Sequence, residues 1–340
     1  MADLITVLRA GLAAVTDLGR TGCSRSGLPA NGAADQYSAA VANVLVGNAT
    51  RAPLIEITAT GFSFTVSRDL LISVTGAPAA LTVGGRPGPA WEPVGVAAND
   101  MVTIDGIHDG LRVYLAVHGQ LDAQKVFGSC APDPLLGVGE PLAPGAHIAV
   151  ASDYLHRDHP VFGVPLFRLG APMPRFGSPW TIDVTDGPDL PDFPDTDQTV
   201  LSADYTLSPN SNHVGLRLAG PIPQRTSTTE LLSRGVPVGA IEVPPSNELL
   251  VLQRGRPVTA GYPVIAVANR TAQSALGQVR PGDVVRFQRT TIDQAVTAHR
   301  KQQRAVDALA QRVRTAFGQL GITTAEHAAE ATKTTERTLR

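Results

Sequence analysis

Glycine and proline interrupt this chain so often that long helices cannot make up most of it: 33 glycines and 27 prolines are spread through 340 residues, with short runs of Val, Ile, Leu and Thr between them. A proline inside a helix removes a backbone hydrogen bond and clashes with the preceding turn, and a glycine there costs about 1 kcal/mol relative to alanine. The runs at residues 70–75, 80–83, 101–104, 111–117, 147–151, 181–184, 214–218, 249–252, 262–267 and 284–288 therefore read as strands. Their number and spacing favour barrels over a doubly wound sheet, so the chain is expected to be mainly β.

Two helices stand out against this background. Tyr37, Ala40, Val41, Val44 and Leu45 recur on one helical face, with Asn31 or Gly32 ahead of them and Gly47-Asn48 as a stop. Asp35 then falls in the first turn, where it either compensates the helix dipole or serves a site. From residue 293 to 317 a second helix is expected, because Val306, Leu309, Val313 and Phe317 form a stripe opposite Arg300, Arg304 and Arg312. The Gly- and Pro-rich segment 170–179 is the best domain break. It divides the chain into an N-terminal β-barrel domain at residues 1–176, a C-terminal barrel domain at 177–292, and a helix with a flexible tail at 293–340.

Bulk properties exclude several function classes. A formal net charge of −2 offers no basic face for DNA, RNA or an anionic membrane. Only Cys23 and Cys130 are present, which fits a reducing, cytoplasmic setting better than a disulfide scaffold. No apolar stretch is long enough to span a bilayer, and the N-terminus lacks the pattern of a secretory signal. None of Lys125, Lys301 and Lys333 follows a glycine, so there is no Gly-Lys-Ser/Thr phosphate loop, and Lys125 lies outside any Met-Lys-Met-like biotin hairpin. Gly-x-Ser-x-Gly, His-Glu-x-x-His and Cys-x-x-Cys are also missing. His156 and His159, flanked by Asp153 and Asp158, have a metal-like spacing but no third ligand, so no metal site is expected. His118 ends an apolar strand, either as a general base at a barrel mouth or as a satisfied strand-end histidine.

Two glycine-punctuated loops carry the polar chemistry. One runs from Asp17-Leu-Gly-Arg20 to Gly32-Ala-Ala-Asp35; the other, Val-Leu-Gln-Arg-Gly-Arg-Pro-Val-Thr-Ala-Gly-Tyr-Pro-Val, occupies residues 251–264. Together they point to a cleft lined from both halves of the chain. With Ala42-Asn-Val-Leu-Val-Gly-Asn48, Leu54-Ile-Glu-Ile57, Tyr114-Leu-Ala-Val117, Gly128-Ser129, Ser211 to Gly220, Gly239-Ala-Ile-Glu-Val-Pro244, Thr259-Ala-Gly-Tyr-Pro263 and Arg280-Pro-Gly-Asp283, they resemble a known family in order. That family is the 5-oxoprolinase C-subunit, also named allophanate hydrolase subunit 2 or biotin-dependent carboxyltransferase domain.

The resemblance implies two cyclophilin-like β-barrel domains with a few short helices and a C-terminal helix. It also implies a hydrolase subunit acting on amide or lactam C–N bonds in an ATP-using, multi-subunit complex. Its partners would be a companion subunit, of the 5-oxoprolinase B-subunit or allophanate hydrolase subunit 1 type, and a third, lactam-utilisation subunit. Neither nucleic acid nor membrane is an expected partner, and no cofactor is expected to be bound covalently. Polarising a resonance-stabilised amide needs guanidinium or backbone donors, and proton handling needs a carboxylate. On those grounds Arg217, Asp35, Arg256 and Tyr262 are the catalytic candidates, with Arg20, Ser211, His213, Thr259, Glu242 and His118 as substrate-binding candidates. Arg217 alternates with Leu216 and Leu218 and so faces either a cleft or water.

Departures from the family pattern bear on the substrate. His213 stands where an arginine is common, Cys130-Ala replaces Arg-Ser, Arg234 replaces a glutamate and Glu242 a glutamine, so an Arg234–Glu242 pair is one way to restore balance. Two alternatives to the amidohydrolase follow from the resemblance. One is a carboxyltransferase that takes its carboxyl group from biotin on a separate protein and acts on urea or a related amide. The other is a non-catalytic partner of a sensor-kinase inhibitor.

Overall fold

The computed structural model describes residues 3–155 and 168–325. As the punctuation demands, the chain is mainly β, with four helices in the described residues: α1 (Gln36–Leu45), α2 (Thr196–Thr199), α3 (Arg270–Leu276) and α4 (Ile292–Leu320).

The N-terminal half is built from two sheets around one core. A seven-stranded sheet has Asp3–Arg9, Phe62–Val66 and Met101–Asp105 at its centre, and a five-stranded sheet runs in the order Leu12–Thr16, Leu54–Thr58, Arg112–Val117, Leu70–Gly76, Pro93–Val96. Ile5, Phe62, Phe64, Ile57, Ile72, Val113 and Leu115 fill the space between them. The five-stranded sheet is covered on its other face too, by α1, and every residue of Leu70–Gly76 is buried as a result. Polar side chains on this face are satisfied by the helix: the hydroxyls of Ser73 and Thr75 donate to the carbonyls of Ala42 at 2.6 Å and Ser38 at 2.7 Å.

The C-terminal half is a closed seven-stranded barrel in the order Trp180–Asp186, Val264–Ala268, Ala240–Glu242, Leu249–Leu252, Gly215–Ala219, Tyr205–Leu207, Val284–Arg289. It closes through parallel pairing of the last strand with the first, Trp180 opposite Val285. Its interior is apolar, with Ile182, Leu218, Ile241, Val251, Ile265 and Val285 fully buried. Phe176, in the proline-rich link, packs against both the barrel core and the helix layer.

Asp35 is the N-cap of α1, its carboxylate accepting from the Ser38 backbone at 3.0 Å and the Ser38 hydroxyl at 2.5 Å. Helix α4 begins one residue before the expected start at Asp293, because Thr291 and Gln294 form a reciprocal capping box around its first turn. Its stripe of Val306, Leu309, Val313 and Phe317 is buried against α1. Leu309→Ala removes a fully buried side chain from this layer and is expected to cost about 3 kcal/mol, read as a shift in the urea midpoint. A loss under about 1 kcal/mol would mean that α4 is not part of the core.

The two halves are fastened by buried polar groups. The Gln278 carboxamide oxygen accepts from Leu111 at 3.1 Å and Arg112 at 2.9 Å, and its nitrogen donates to Asp35 at 2.8 Å and to the Arg112 carbonyl at 3.1 Å. Arg280 donates to the carbonyls of Ile107 and Gly110, and Arg112 to that of Gly277.

Candidate active site between the two halves

The two glycine-punctuated loops meet. In the first, Asp17 is buried and ties the loop down, its carboxylate accepting from Gly19 at 2.7 Å, the Ser129 hydroxyl at 2.6 Å and Cys130 at 3.0 Å. Gly19 and Gly32 both have φ above +80°, and a side chain on either would collide with the backbone of the segment that crosses it. Only glycine permits this crossing. From the second loop, Arg254 reaches across: Nε donates to the Asn31 carbonyl at 2.7 Å and Nη2 to the Leu18 carbonyl at 2.9 Å, while the Asn31 amide returns a bond to the Arg254 carbonyl at 3.0 Å.

Between them lies a cavity of about 440 Å³, lined by Glu56, Arg112 and Asp133 from one half and His213, Gln253 and Arg254 from the other. That size suits a small-molecule ligand. Glu56 projects from the strand Leu54–Thr58 with one oxygen held: Oε2 accepts from the Ala34 amide at 3.0 Å and the Tyr114 hydroxyl at 2.8 Å. Its Oε1 lies 3.5 Å from Arg112 Nε, a nitrogen with no hydrogen bond of its own. The Tyr114 hydroxyl also accepts from the Asp35 amide at 2.8 Å. Burial, and then the carboxylates of Glu56 and Asp35, push the Tyr114 phenol well above its ordinary value, so it remains a donor. The result is a carboxylate of fixed orientation beside a guanidinium whose Nε is unbonded, the two group types that amide chemistry requires.

The residues singled out from the sequence are distributed unevenly around this cavity. His213 is in its lining. Arg20 is one layer beneath: its buried guanidinium donates to the Ala131 carbonyl at 3.1 Å and lies 3.3 Å from Asp133, which also accepts from Asn31 at 2.8 Å. Asp35 is likewise one step removed, joined to Glu56 through Tyr114. Arg217 lies outside the lining, paired with Glu248 at 2.5 Å, and its amide donates to the Ser211 hydroxyl at 2.9 Å. Thr259 belongs to a small ribbon paired with Gly235, and Tyr262 is 43% exposed in the bend that follows. Arg20, Arg217 and Tyr262 thus do not share the cavity. Arg256 is buried elsewhere, donating to the Val236 carbonyl at 2.9 Å.

His118 faces a different cavity, with Nδ1 2.7 Å from the Val46 carbonyl and Nε2 2.9 Å from Asp153. Both ring nitrogens face oxygen atoms of neighbouring residues, so the ring is fixed in orientation. No group of three His, Cys, Asp or Glu able to hold a metal occurs among the described residues, and His156 and His159 lie outside them. Nor is any helix among the described residues long and apolar enough to cross a membrane.

Arg234 does not pair with Glu242 but with Asp189. Glu242 is buried with Oε1 lacking a hydrogen-bond partner, and burial pushes its carboxyl up to about 7 against the opposing pull of Arg234. Because the folded chain then holds this proton more tightly than the unfolded chain, stability is expected to fall as pH rises from the ordinary value of 4.5 through about 7. The drop is about 2 kcal/mol after allowance for solvent screening. Glu242→Gln should flatten it, as measured by urea midpoints at about pH 5 and pH 8; an unchanged slope would assign the pH dependence to another group.

Sequence reasoning missed Glu56, Arg112, Asp133, Gln253 and Arg254. Two of them left a signal. Glu56 is a lone carboxylate inside an apolar strand, and Arg254 sits two residues before Arg256 in the polar turn at residues 251–264.

A family model described as "Carboxyltransferase domain, subdomain A and B" matches residues 26–289. The chain belongs to this carboxyltransferase-domain family. The carboxyltransferase-domain chain is 30% identical over 316 residues to the 5-oxoprolinase C-subunit of Escherichia coli, covering 91% of this chain and 99% of that one. Similarity to the protein of the same name from Haemophilus influenzae is 28% over 300 residues, covering 87% and 94%. Urea amidolyase of Saccharomyces cerevisiae is 30% identical over 285 residues, covering 79% of this chain but 16% of that protein. Among solved structures, K. lactis urea amidolyase superposes with a TM-score of 0.81 at 25% identity, covering 90% of this chain and 20% of that one. The carboxyltransferase-domain chain therefore corresponds to about a fifth or less of the length of these urea amidolyases.

Proposed function

We propose that this chain is a subunit of an ATP-dependent amidohydrolase of the 5-oxoprolinase type, acting with a companion subunit on a small lactam or urea-like amide. The observation that carries this reading is the coverage of 99% and 94% of two proteins named as the 5-oxoprolinase C-subunit, against 16% of a urea amidolyase. The cavity between the halves supports it chemically: Glu56 handles the proton, while Arg112 and neighbouring donors take up charge that develops on the amide oxygen. Use of ATP is assigned to the assembled complex.

Co-expression with companion and lactam-utilisation subunits, followed by an assay of ATP-dependent glutamate release from 5-oxoproline, tests the proposal. Glutamate formation supports it; a well-folded complex that forms none overturns it. Carboxyl transfer to urea is the second reading, favoured by the 0.81 TM-score to a urea amidolyase. It requires a biotinylated partner, so avidin would abolish that activity and leave 5-oxoproline opening untouched.

A further inference from the structure

We propose that the crease between α1, α3 and α4 is a binding site for a small free oxyanion of phosphate or sulfate size. A cavity of about 110 Å³ opens there, too small for a nucleotide, and Gln36, Thr50, Arg270, His299, Gln302 and Gln303 supply most of its polar lining. Every one of these is a cation or a neutral group able to donate, and no carboxylate is in the lining. Two acids stand behind the lining: Asp35 accepts from Ser38, Gln278 and the lining Ser274, and Asp307 accepts from the lining Gln303.

Three arginines gather at this corner without an ion pair among the described residues. Arg270 forms no ion pair or hydrogen bond among the described residues. Arg51 and Arg254 are held next to it, Arg51 donating to the Gly19 carbonyl at 2.5 Å and Arg254 to the Leu18 carbonyl at 2.9 Å. Two successive peptide carbonyls thus hold two guanidinium groups close together, and Leu18 itself lines the Arg270 cavity. Neither of these arginines has a carboxylate partner among the described residues. The group feels its own repulsion: burial, then Arg270, Arg51 and Arg256, lower the basicity of Arg254 to about 10. In a chain whose formal charge is −2, this gathering of arginines favours an anion. An anion held by Arg270, His299 and the glutamine amides would bridge α4 to the loop that carries Leu18, whatever reaction the other cavity supports.

Equilibrium dialysis of the full chain against radiolabelled inorganic phosphate, at low ionic strength, is the direct test. The expected result is one saturable site per chain, competed by sulfate, weakened at least 10-fold by Arg270→Gln and unchanged by Arg86→Gln, an exposed control in a distant strand. Arg270 makes no bond that folding needs, and retention of the parent melting temperature without phosphate would confirm that the variant folds. Absence of saturable uptake at millimolar phosphate would overturn the proposal, as would Arg270→Gln binding within twofold of the parent. Equal weakening by Arg86→Gln would reduce the effect to general charge attraction and overturn it too. Tighter binding of glycerol 3-phosphate than of inorganic phosphate would overturn the assignment to a free ion.

Discussion

On the proposed function, Glu56→Gln is expected to lower 5-oxoproline turnover by the assembled complex by about 10²- to 10⁴-fold while leaving the chain folded, the range that a positioned acid or base contributes. The substitution keeps the shape of the side chain and an oxygen able to accept from Tyr114 and the Ala34 amide, so the strand and loop should hold their places. It removes the charge that faces Arg112 and any ability to take up a proton. The effect should appear in kcat more than in KM, because the proton moves only in the transition state. Steady-state kinetics on purified complex, with circular dichroism as the control for folding, gives the answer. Activity within about tenfold of the parent would place proton transfer elsewhere in the complex.

Gln278→Ala is expected to destabilise the chain by about 4 kcal/mol, because one carboxamide satisfies groups from separate segments of the other half. Its loss strands the amides of Leu111 and Arg112 and takes a donor from the buried Asp35 carboxylate. Water offers Asp35 no replacement, since that residue is only 2% exposed. Burial already holds the Asp35 carboxyl above its ordinary value, with bonds from Ser38 and Gln278 pulling it down. Removing one of those bonds raises it further. Since the folded state then prefers the neutral acid, the loss in stability should shrink as pH falls and grow as pH rises above the ordinary carboxyl range. Thermal melts should show a fall of about 6 °C near neutrality and less in acid. A drop of only a degree or two would mean that the two halves are held by apolar contact alone.

Local chemistry made much of the fold legible. The strand at 80–83 and the stripe of α4 are where periodicity and punctuation put them, since both depend on neighbours within a turn or a strand. The strand expected at 262–267 begins only at Val264, because Tyr262 lies in the bend before it. Asp35 is the helix-start group that its place in the chain implies, but its second partner, Gln278, lies 243 residues away and left no local trace. Alternation puts Arg217 on the face opposite Leu216; which neighbour it meets there, Glu248, is a matter of how the strands Gly215–Ala219 and Leu249–Leu252 pair.

The sequence by itself determined the mainly β architecture, the family and the two loops that approach each other, because turn glycines, strand patterns and ordered motifs are properties of neighbouring residues. Only the tertiary structure decided that Arg254 rather than Arg256 bridges those loops, and that Glu56 and Arg112 rather than Arg217 and Tyr262 line the cavity. The reason is geometric: successive residues on a strand or tight turn point to opposite sides, and which side becomes a cavity depends on how two distant halves dock, through contacts such as Gln278 with Asp35 and Arg280 with Gly110.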